Sequence, residues 1–317
     1  MIIDDFLVLS EHGGLYCTIG DFYLDPQKPV KHAIISHAHG DHAVPGNQHV
    51  YCTEATAAIM QHRYKKNAGE LFHMYSYNQT FSVNGVDICF ISAGNILGSA
   101  QILLTYQGTR YLYTGDFKLQ VDATCDPIQF TEADVLITET TFADPAVQHP
   151  DPVSEIQKIN ACEHSILLGA YALGKAQRLT QLINTYCPSR EVLIHHSILP
   201  INKLYESFGF SLGNYMPYQR KLMVKPTKKY VYIVPPMTFG SYFHAKHVVK
   251  AFASGWKRLQ NQNDIELLIS DHVDWSDILT TIQQVKPKQI WTLHGDGHQL
   301  QAHFQHQLPV KVLNKAP

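Results

Sequence analysis

Short apolar runs broken by Gly, Pro, Asn and Asp dominate the first part of the chain, and helical spacing is scarce there. Gly20 to Pro26 reads as a strand stopped by proline, and Val30 to Ser36 as a second strand. His49-Val50-Tyr51-Cys52 suggests another, after which Thr53 predicts an N-cap for a helix through Ala57, Ala58, Ile59 and Met60. Leu71 to Tyr77 and Gln79 to Ser92 are β-rich. Within them Asn84-Gly85, between Phe81-Ser82-Val83 and Val86-Asp87-Ile88, predicts a type I′ hairpin. A second hairpin runs from Gln101 to Tyr106, turns at Gln107-Gly108 and returns over Arg110 to Thr114. Asp134 to Thr138 is a further strand, leading into Glu139.

The texture changes near Pro145. Up to about Gly240 helical stretches alternate with short apolar strands: helices over 152–162, 175–186 and 199–208, and strands over 165–168, 192–194 and 230–234. This predicts an α/β insertion over 145–240 with its own small sheet, between a first part (1–144) and a second part (241–317) of the surrounding domain. In the second part Val248 to Ala253 and Ile265 to Ile269 read as strands, Trp275 to Val285 as a helix, Gln289 to Leu293 as a strand and Gln299 to Gln307 as a helix. The sequence shows no internal repeat and no low-complexity tract.

The one stretch that this pattern does not explain is Ser36-His37-Ala38-His39-Gly40-Asp41-His42, at the end of the apolar run Ala33-Ile34-Ile35. Its spacings fit neither a helix face nor one side of a strand, so the side chains fan out from a loop. In a chain with 19 histidines the pattern H-x-H-x-D-H has a chance expectation of roughly three or four in a thousand. The alternative is an incidental His-rich surface loop. Further His or carboxylate groups sit at predicted strand ends: Asp116, Asp271-His272-Val273-Asp274, and His294 with Asp296 and His298. A nitrogen and oxygen donor set in two bundles suits a pair of Zn²⁺ or Mn²⁺ ions bridged by Asp116. Such a pair lowers the pKa of a water between them and steadies attacking and leaving oxygens, which is hydrolytic chemistry.

Composition narrows the setting. At 317 residues, 45% hydrophobic and 16% charged, the chain has the make-up of an ordinary globular protein with a sizeable core. Its apolar runs are too short for a transmembrane helix, and Met1 to Asp5 lacks the start of a signal peptide, so a cytoplasmic protein with no membrane partner is expected. The net charge of −2 excludes a globally basic nucleic-acid binder; a polyanion must be held by a local patch or by metal. Six cysteines without a C-x-x-C pair fit reduced thiols rather than metal ligands. His12, His32, His62 and His73 sit in no readable pattern.

Several motifs, in order, resemble the nucleic-acid-cleaving β-CASP branch of the metallo-β-lactamase fold. They are Tyr23-Leu24-Asp25, His37 through His42, Tyr113-Thr114-Gly115-Asp116, Thr138-Glu139-Thr140-Thr141-Phe142, Ser270-Asp271-His272 and Leu293-His294-Gly295, with Ala172 to Leu179 inside the insertion. The bacterial ligase-associated DNA exonucleases, often described as messenger 3′-end processing factors, are the most similar group. The resemblance implies an α/β metallo-β-lactamase αββα sandwich carrying an inserted α/β β-CASP-like domain. It implies His37 and His39 on a first metal, Asp41, His42 and His294 on a second, and Asp116 on both. His272 would touch the scissile phosphate or protonate the leaving oxygen, and Glu139 and Asp25 would brace ligands, with Asp41, His272 and Glu139 carrying the catalytic chemistry. One position departs from the pattern: Asn95 stands where the branch has a histidine on the first metal, so that site is expected to be weaker or to take a harder ion such as Mn²⁺.

Phosphate contacts need concentrated positive charge. Lys175 and Arg178 in the family-like helix are the first candidates, with Ser270 as a hydrogen-bond donor. Arg63, Lys65 and Lys66, and the run Arg220-Lys221 through Lys225, Lys228 and Lys229, follow. These readings converge on a metal-dependent nuclease, a DNA exonuclease in repair before an RNA-processing enzyme, with a DNA ligase or helicase as the protein partner the resemblance suggests. Two alternatives stay open: a small-molecule hydrolase of the same fold, and a metal-impaired, non-catalytic nucleic-acid-binding protein.

Overall fold

The computed structural model describes residues 1–224, 228–242 and 248–313. Its strand-rich first part builds two sheets. The first holds β1 (Leu7–Leu9), β2 (Leu15–Cys17), β3 (Phe22–Leu24), β4 (His32–Ile34), β5 (Asn47–Cys52) and β6 (Gly69–Met74) in spatial order, antiparallel from β1 to β3 and parallel from β3 to β6. Helix α1 (Glu54–Tyr64) starts at Thr53, whose hydroxyl accepts the Thr56 N–H as expected of an N-cap.

The second sheet begins with β7 (Thr80–Val83), β8 (Val86–Ser92), β9 (Ala100–Tyr106), β10 (Thr109–Tyr113) and β11 (Val135–Glu139). Both hairpins form where the sequence places them. Asn84 and Gly85 take φ of 49° and 83° between the paired Val83 and Val86, and Gln107 and Gly108 likewise have positive φ, the backbone that primed turns require.

The insertion follows, with α2 (Pro152–Ala161), β12 (Ile166–Gly169), α3 (Lys175–Tyr186), β13 (Arg190–Ile194), α4 (Leu199–Ser207), β14 (Tyr215–Pro217), α5 (Arg220–Val224), β15 (Lys229–Val234) and α6 (Pro236–Ser241). Then come β16 (Val249–Ala253) and β17 (Ile265–Leu267). These strands make a third, parallel sheet in the order β14-β13-β15-β12-β16-β17. Ile166, Leu167, Leu168, Val192, Leu193 and Ile194 are buried in succession, because helices cover both faces and leave no polar side.

The insertion therefore ends later than position 240. By packing the chain divides into one unit of Met1–Val121, Cys125–Gln148 and His272–Pro317, and a second of Asp122–Thr124 and His149–Asp271. The strand read at 248–253 pairs with β12 and the one read at 265–269 pairs with β16, so neither joins the surrounding domain. An apolar strand does not encode which sheet will accept it.

The chain closes with α7 (Trp275–Val285), β18 (Gln289–Leu293), α8 (His298–Phe304) and β19 (Val310–Val312); β18 and β19 complete the second sheet beside β11. One face of that sheet, with Phe90, Ile102, Leu104, Tyr111, Ile137 and Trp291, shares a core with Leu15, Phe22, Leu24 and Ile34 of the first sheet. The alternate residues Leu103, Leu112, Leu136 and Ile290 pack against Ile278, Ile282 and Val285 of α7. No helix among the described residues is long and apolar enough to cross a membrane.

Helix α7 contains a testable electrostatic fault. Asp274 caps it, accepting the Asp277 N–H at 3.1 Å, and burial together with the Asp274 charge pushes the Asp277 carboxyl up to about 6. A carboxyl raised in the fold favours the native state most below its unfolded pKa near 4, and that advantage disappears as pH rises through 6. Asp277→Asn should therefore stabilise the protein at pH 7.5 by about 1 kcal/mol, discounted for partial exposure, and the gain should vanish near pH 4. Thermal melting at the two pH values tests this; an equal gain at both would reject it.

Candidate metal centre

The centre grows from the C-terminal ends of β3 and β4. Just past β3, Asp25 adopts a φ of 46° and its carboxylate is buried. It accepts the Ser36 N–H at 2.7 Å, the Ser36 hydroxyl at 2.5 Å and the Tyr113 hydroxyl at 3.0 Å, and lies 2.8 Å from His42 Nδ1. Four contacts saturate this carboxylate, so it orients the histidine loop. His42 Nε2 then faces Asp116 Oδ1 at 3.4 Å. His37 is held in the same manner: Nδ1 is 2.9 Å from Ser36 Oγ, while Nε2 lies 3.4 Å from Asp116 Oδ2 and 3.0 Å from His39 Nδ1.

The second sheet delivers the remaining groups. Asp116 follows β10 and is buried. Glu139, the last residue of β11 and 1% exposed, accepts the Phe117 N–H at 3.1 Å and the Thr141 hydroxyl at 2.6 Å, and its Oε2 lies 2.7 Å from His272 Nδ1. His272 Nδ1 is also 3.9 Å from Asp116 Oδ2. His294 follows β18, its ring centroid 5.3 Å from that of His42. The next residue must be glycine: Gly295 has φ of 156°, and a Cβ there would stand 2.1 Å from the Thr140 carbonyl oxygen.

Charge explains how these groups coexist. Burial alone would lower the His42 pKa, but Asp116 and Asp25 outweigh it and raise it to about 10. Burial would likewise raise the Asp116 carboxyl, yet His42, His272 and His37 hold it well below the usual range. Asp25 is lowered against its own desolvation, chiefly by His42. Desolvation of the His294 ring, with the His42 charge beside it, holds His294 below the usual histidine range.

Three trios bring their donor atoms within 4.8 Å of one another: Asp25, His37 and His42; His37, His39 and Asp116; and Asp116, Glu139 and His272. The donors are imidazole nitrogens and carboxylate oxygens, which fits Zn²⁺ or Mn²⁺. Asp41 takes a more peripheral place than expected, its side chain 76% exposed and Oδ2 3.9 Å from His42 Nε2. Asn95 is buried; its N–H donates to Ser99 Oγ at 3.0 Å and its carbonyl accepts from Lys118 Nζ at 3.0 Å. His298 is the first residue of α8, and its N–H donates to Asp296 Oδ1 at 3.0 Å.

The expected nucleic-acid contacts are placed differently. In the second unit Lys175 and Arg178 are 2% and 1% exposed. Lys175 Nζ lies 3.0 Å from Asp271 Oδ1 and also donates to the Ile269 carbonyl, while Arg178 donates to the Ser270 carbonyl at 2.7 Å and lies 3.5 Å from Asp122. Ser270 is equally buried. These cations answer internal carboxylates and carbonyls, and burial of that kind leaves no face for phosphate. Arg63 donates to the Ala38 carbonyl within the histidine loop. Lys228 and Lys229 pair with Glu191 and Glu163, and Lys225 lies outside the described residues.

Sequence reasoning gave no role to Ser36, Tyr113 or Thr141. Thr141 and Tyr113 did sit inside motifs, Thr141 two residues after Glu139 and Tyr113 three before Asp116, and that adjacency was the available signal.

Such donor groups could hold metal ions, and comparison with known proteins narrows the class. No family model matches the chain. A "Probable DNA ligase" of Opitutus terrae is 31% identical over 300 residues, 89% of this chain and 28% of the ligase. An "RNase J-like protein" of Methanocaldococcus jannaschii is 31% identical over 214 residues, 57% of this chain and 51% of the relative. "Endoribonuclease YSH1" of Kluyveromyces lactis is 28% identical over 134 residues, 39% of this chain and 17% of that protein. The chain thus spans about half or less of the length of these relatives. A crystal structure of a protein of unknown function from Enterococcus faecalis shares the fold at a TM-score of 0.59 and 14% identity, covering 89% of this chain and 79% of the other. Together these relatives bear out the resemblance read from the motifs, to metallo-β-lactamase-fold nucleases of the β-CASP branch.

Proposed function

We propose that the chain is a metal-dependent nuclease that hydrolyses phosphodiester bonds, working from a DNA end in repair. The observation that carries this reading is the convergence of His37, His39, His42, Asp116, Glu139 and His272 on shared donor distances. His37, His39 and Asp116 would hold a first ion, and Asp41, His42, His294 and Asp116 a second. Two such ions supply Lewis acidity that activates water and neutralises charge on phosphate oxygens.

The chain's own groups do the rest. Glu139 holds the Nδ1 side of His272, which leaves Nε2 to meet a phosphate oxygen or give a proton to the leaving oxygen. Lys175 and Arg178 brace the stretch Ile269 to Asp271 instead of gripping phosphate. An αββα layer order, a cytoplasmic setting and a DNA ligase or helicase partner belong to the same proposal.

DNA is favoured because the ligase relative matches 89% of the chain; the RNase-named relatives support RNA over shorter stretches. The test is the full chain with end-labelled single- and double-stranded DNA and RNA, with Zn²⁺ or Mn²⁺ and with EDTA. A product ladder from one DNA end, abolished by EDTA, is expected. Cleavage of RNA alone would move the assignment to RNA processing, and no cleavage with no bound metal would leave a binding protein. Metal analysis should find fewer than two zincs tightly held at this centre, rising toward two in Asn95→His, since an amide oxygen is the poorer zinc ligand.

A further inference from the structure

Away from this centre, on one face of the first sheet, histidines gather a second time. On the parallel strands β4, β5 and β6, His32 lies opposite His49, and Tyr51 opposite His73. The two-residue period of a strand puts all four side chains on one face. Opposite neighbours stack: the His32 and His49 centroids are 4.8 Å apart at 15°, and those of Tyr51 and His73 4.5 Å apart at 11°. Polar contacts join the diagonals, with His49 Nδ1 3.1 Å from His73 Nε2 and His32 Nδ1 3.2 Å from Tyr51 Oη. The three imidazoles are half-buried.

We propose that the facing nitrogens of His49 and His73 form a second metal site, for a borderline divalent transition ion of the zinc class. The position between two imidazole nitrogens accommodates one shared proton or one cation. Two Zn–N bonds of about 2.0–2.1 Å at a tetrahedral angle set their nitrogens about 3.3 Å apart, a few tenths of an ångström from what is observed. His32 stacks on His49 with its Nδ1 turned to the Tyr51 hydroxyl, so water completes the shell. The four-residue grid contains no carboxylate, which disfavours Ca²⁺ and Mg²⁺. Burial and the neighbouring His49 hold His32 and His73 below the usual histidine range, which keeps them in the neutral form that ligates metals.

The site has a structural use. Strand β6 is the edge of its sheet and leaves Leu71 and Met74 49% and 52% exposed. An ion spanning β5 and β6 would tie that edge down.

Equilibrium dialysis of the full chain against Zn²⁺ tests the proposal independently of nuclease activity. The double variant His49→Gln/His73→Gln should bind one equivalent fewer than the unaltered chain, and each single variant should hold that equivalent about tenfold or more weakly. An unchanged isotherm in a folded double variant would overturn the site. Should the double variant fail to fold, His73→Cys decides: with Co²⁺ it should show a thiolate-to-cobalt absorption band absent from the unaltered chain and lost again on adding His49→Gln. No such band would also overturn it.

Discussion

Replacing Asp116 by asparagine should lower phosphodiester cleavage by at least about 10³-fold, roughly 4 kcal/mol of barrier, while the protein stays folded. The size follows from its place. Its two carboxylate oxygens face different partners, Oδ1 toward His42 Nε2 and Oδ2 toward His37 Nε2, both at 3.4 Å, with His272 at 3.9 Å from Oδ2. A group so placed can serve two ions at once. Asparagine keeps the volume but replaces one oxygen by an N–H₂ donor, which neither ligates a cation nor answers an imidazolium. The prediction is checked by single-turnover cleavage under saturating Mn²⁺, metal analysis of the same sample and a melting curve. Activity within tenfold of the unaltered protein, or unchanged metal content, would contradict the bridging role.

Such a site was legible because its chemistry is local. Six residues from His37 to His42 carry three imidazoles and a carboxylate, and no periodic element explains them. The hairpins were legible for the same reason, since Asn84, Gly85 and Gly108 tolerate positive φ. What escaped depended on partners distant in sequence. Lys175 and Arg178 look like solvated cations until Asp271 and Asp122 are folded beside them. β16 and β17 look like any apolar strands until β12 accepts β16 and β16 in turn accepts β17. His32, His49 and His73 have no common spacing along the chain, and only the parallel register of β4, β5 and β6 makes them neighbours. Asp41 shows the converse limit, for a motif position does not fix a rotamer: its side chain is largely in solvent.

Asp25 shows how far the centre depends on a residue that need not touch metal. Its carboxylate collects the Ser36 N–H, the Ser36 and Tyr113 hydroxyls and the His42 ring. Asp25→Ala leaves all four buried groups without their acceptor, and His42 without its closest counter-charge. The expected loss is about 3–5 kcal/mol, the range for breaking a buried charged pair, because the separate costs of the stranded donors are not additive. Asp25→Asn retains one carbonyl oxygen and should fall between the two. Urea unfolding in EDTA isolates this term from any metal contribution. The same variants should bind Zn²⁺ about 10–100-fold more weakly, since His37 and His42 would no longer be turned toward Asp116. A variant that loses stability in EDTA yet binds Zn²⁺ as tightly as the unaltered chain would show that Asp25 supports the fold and not the geometry of the histidine loop.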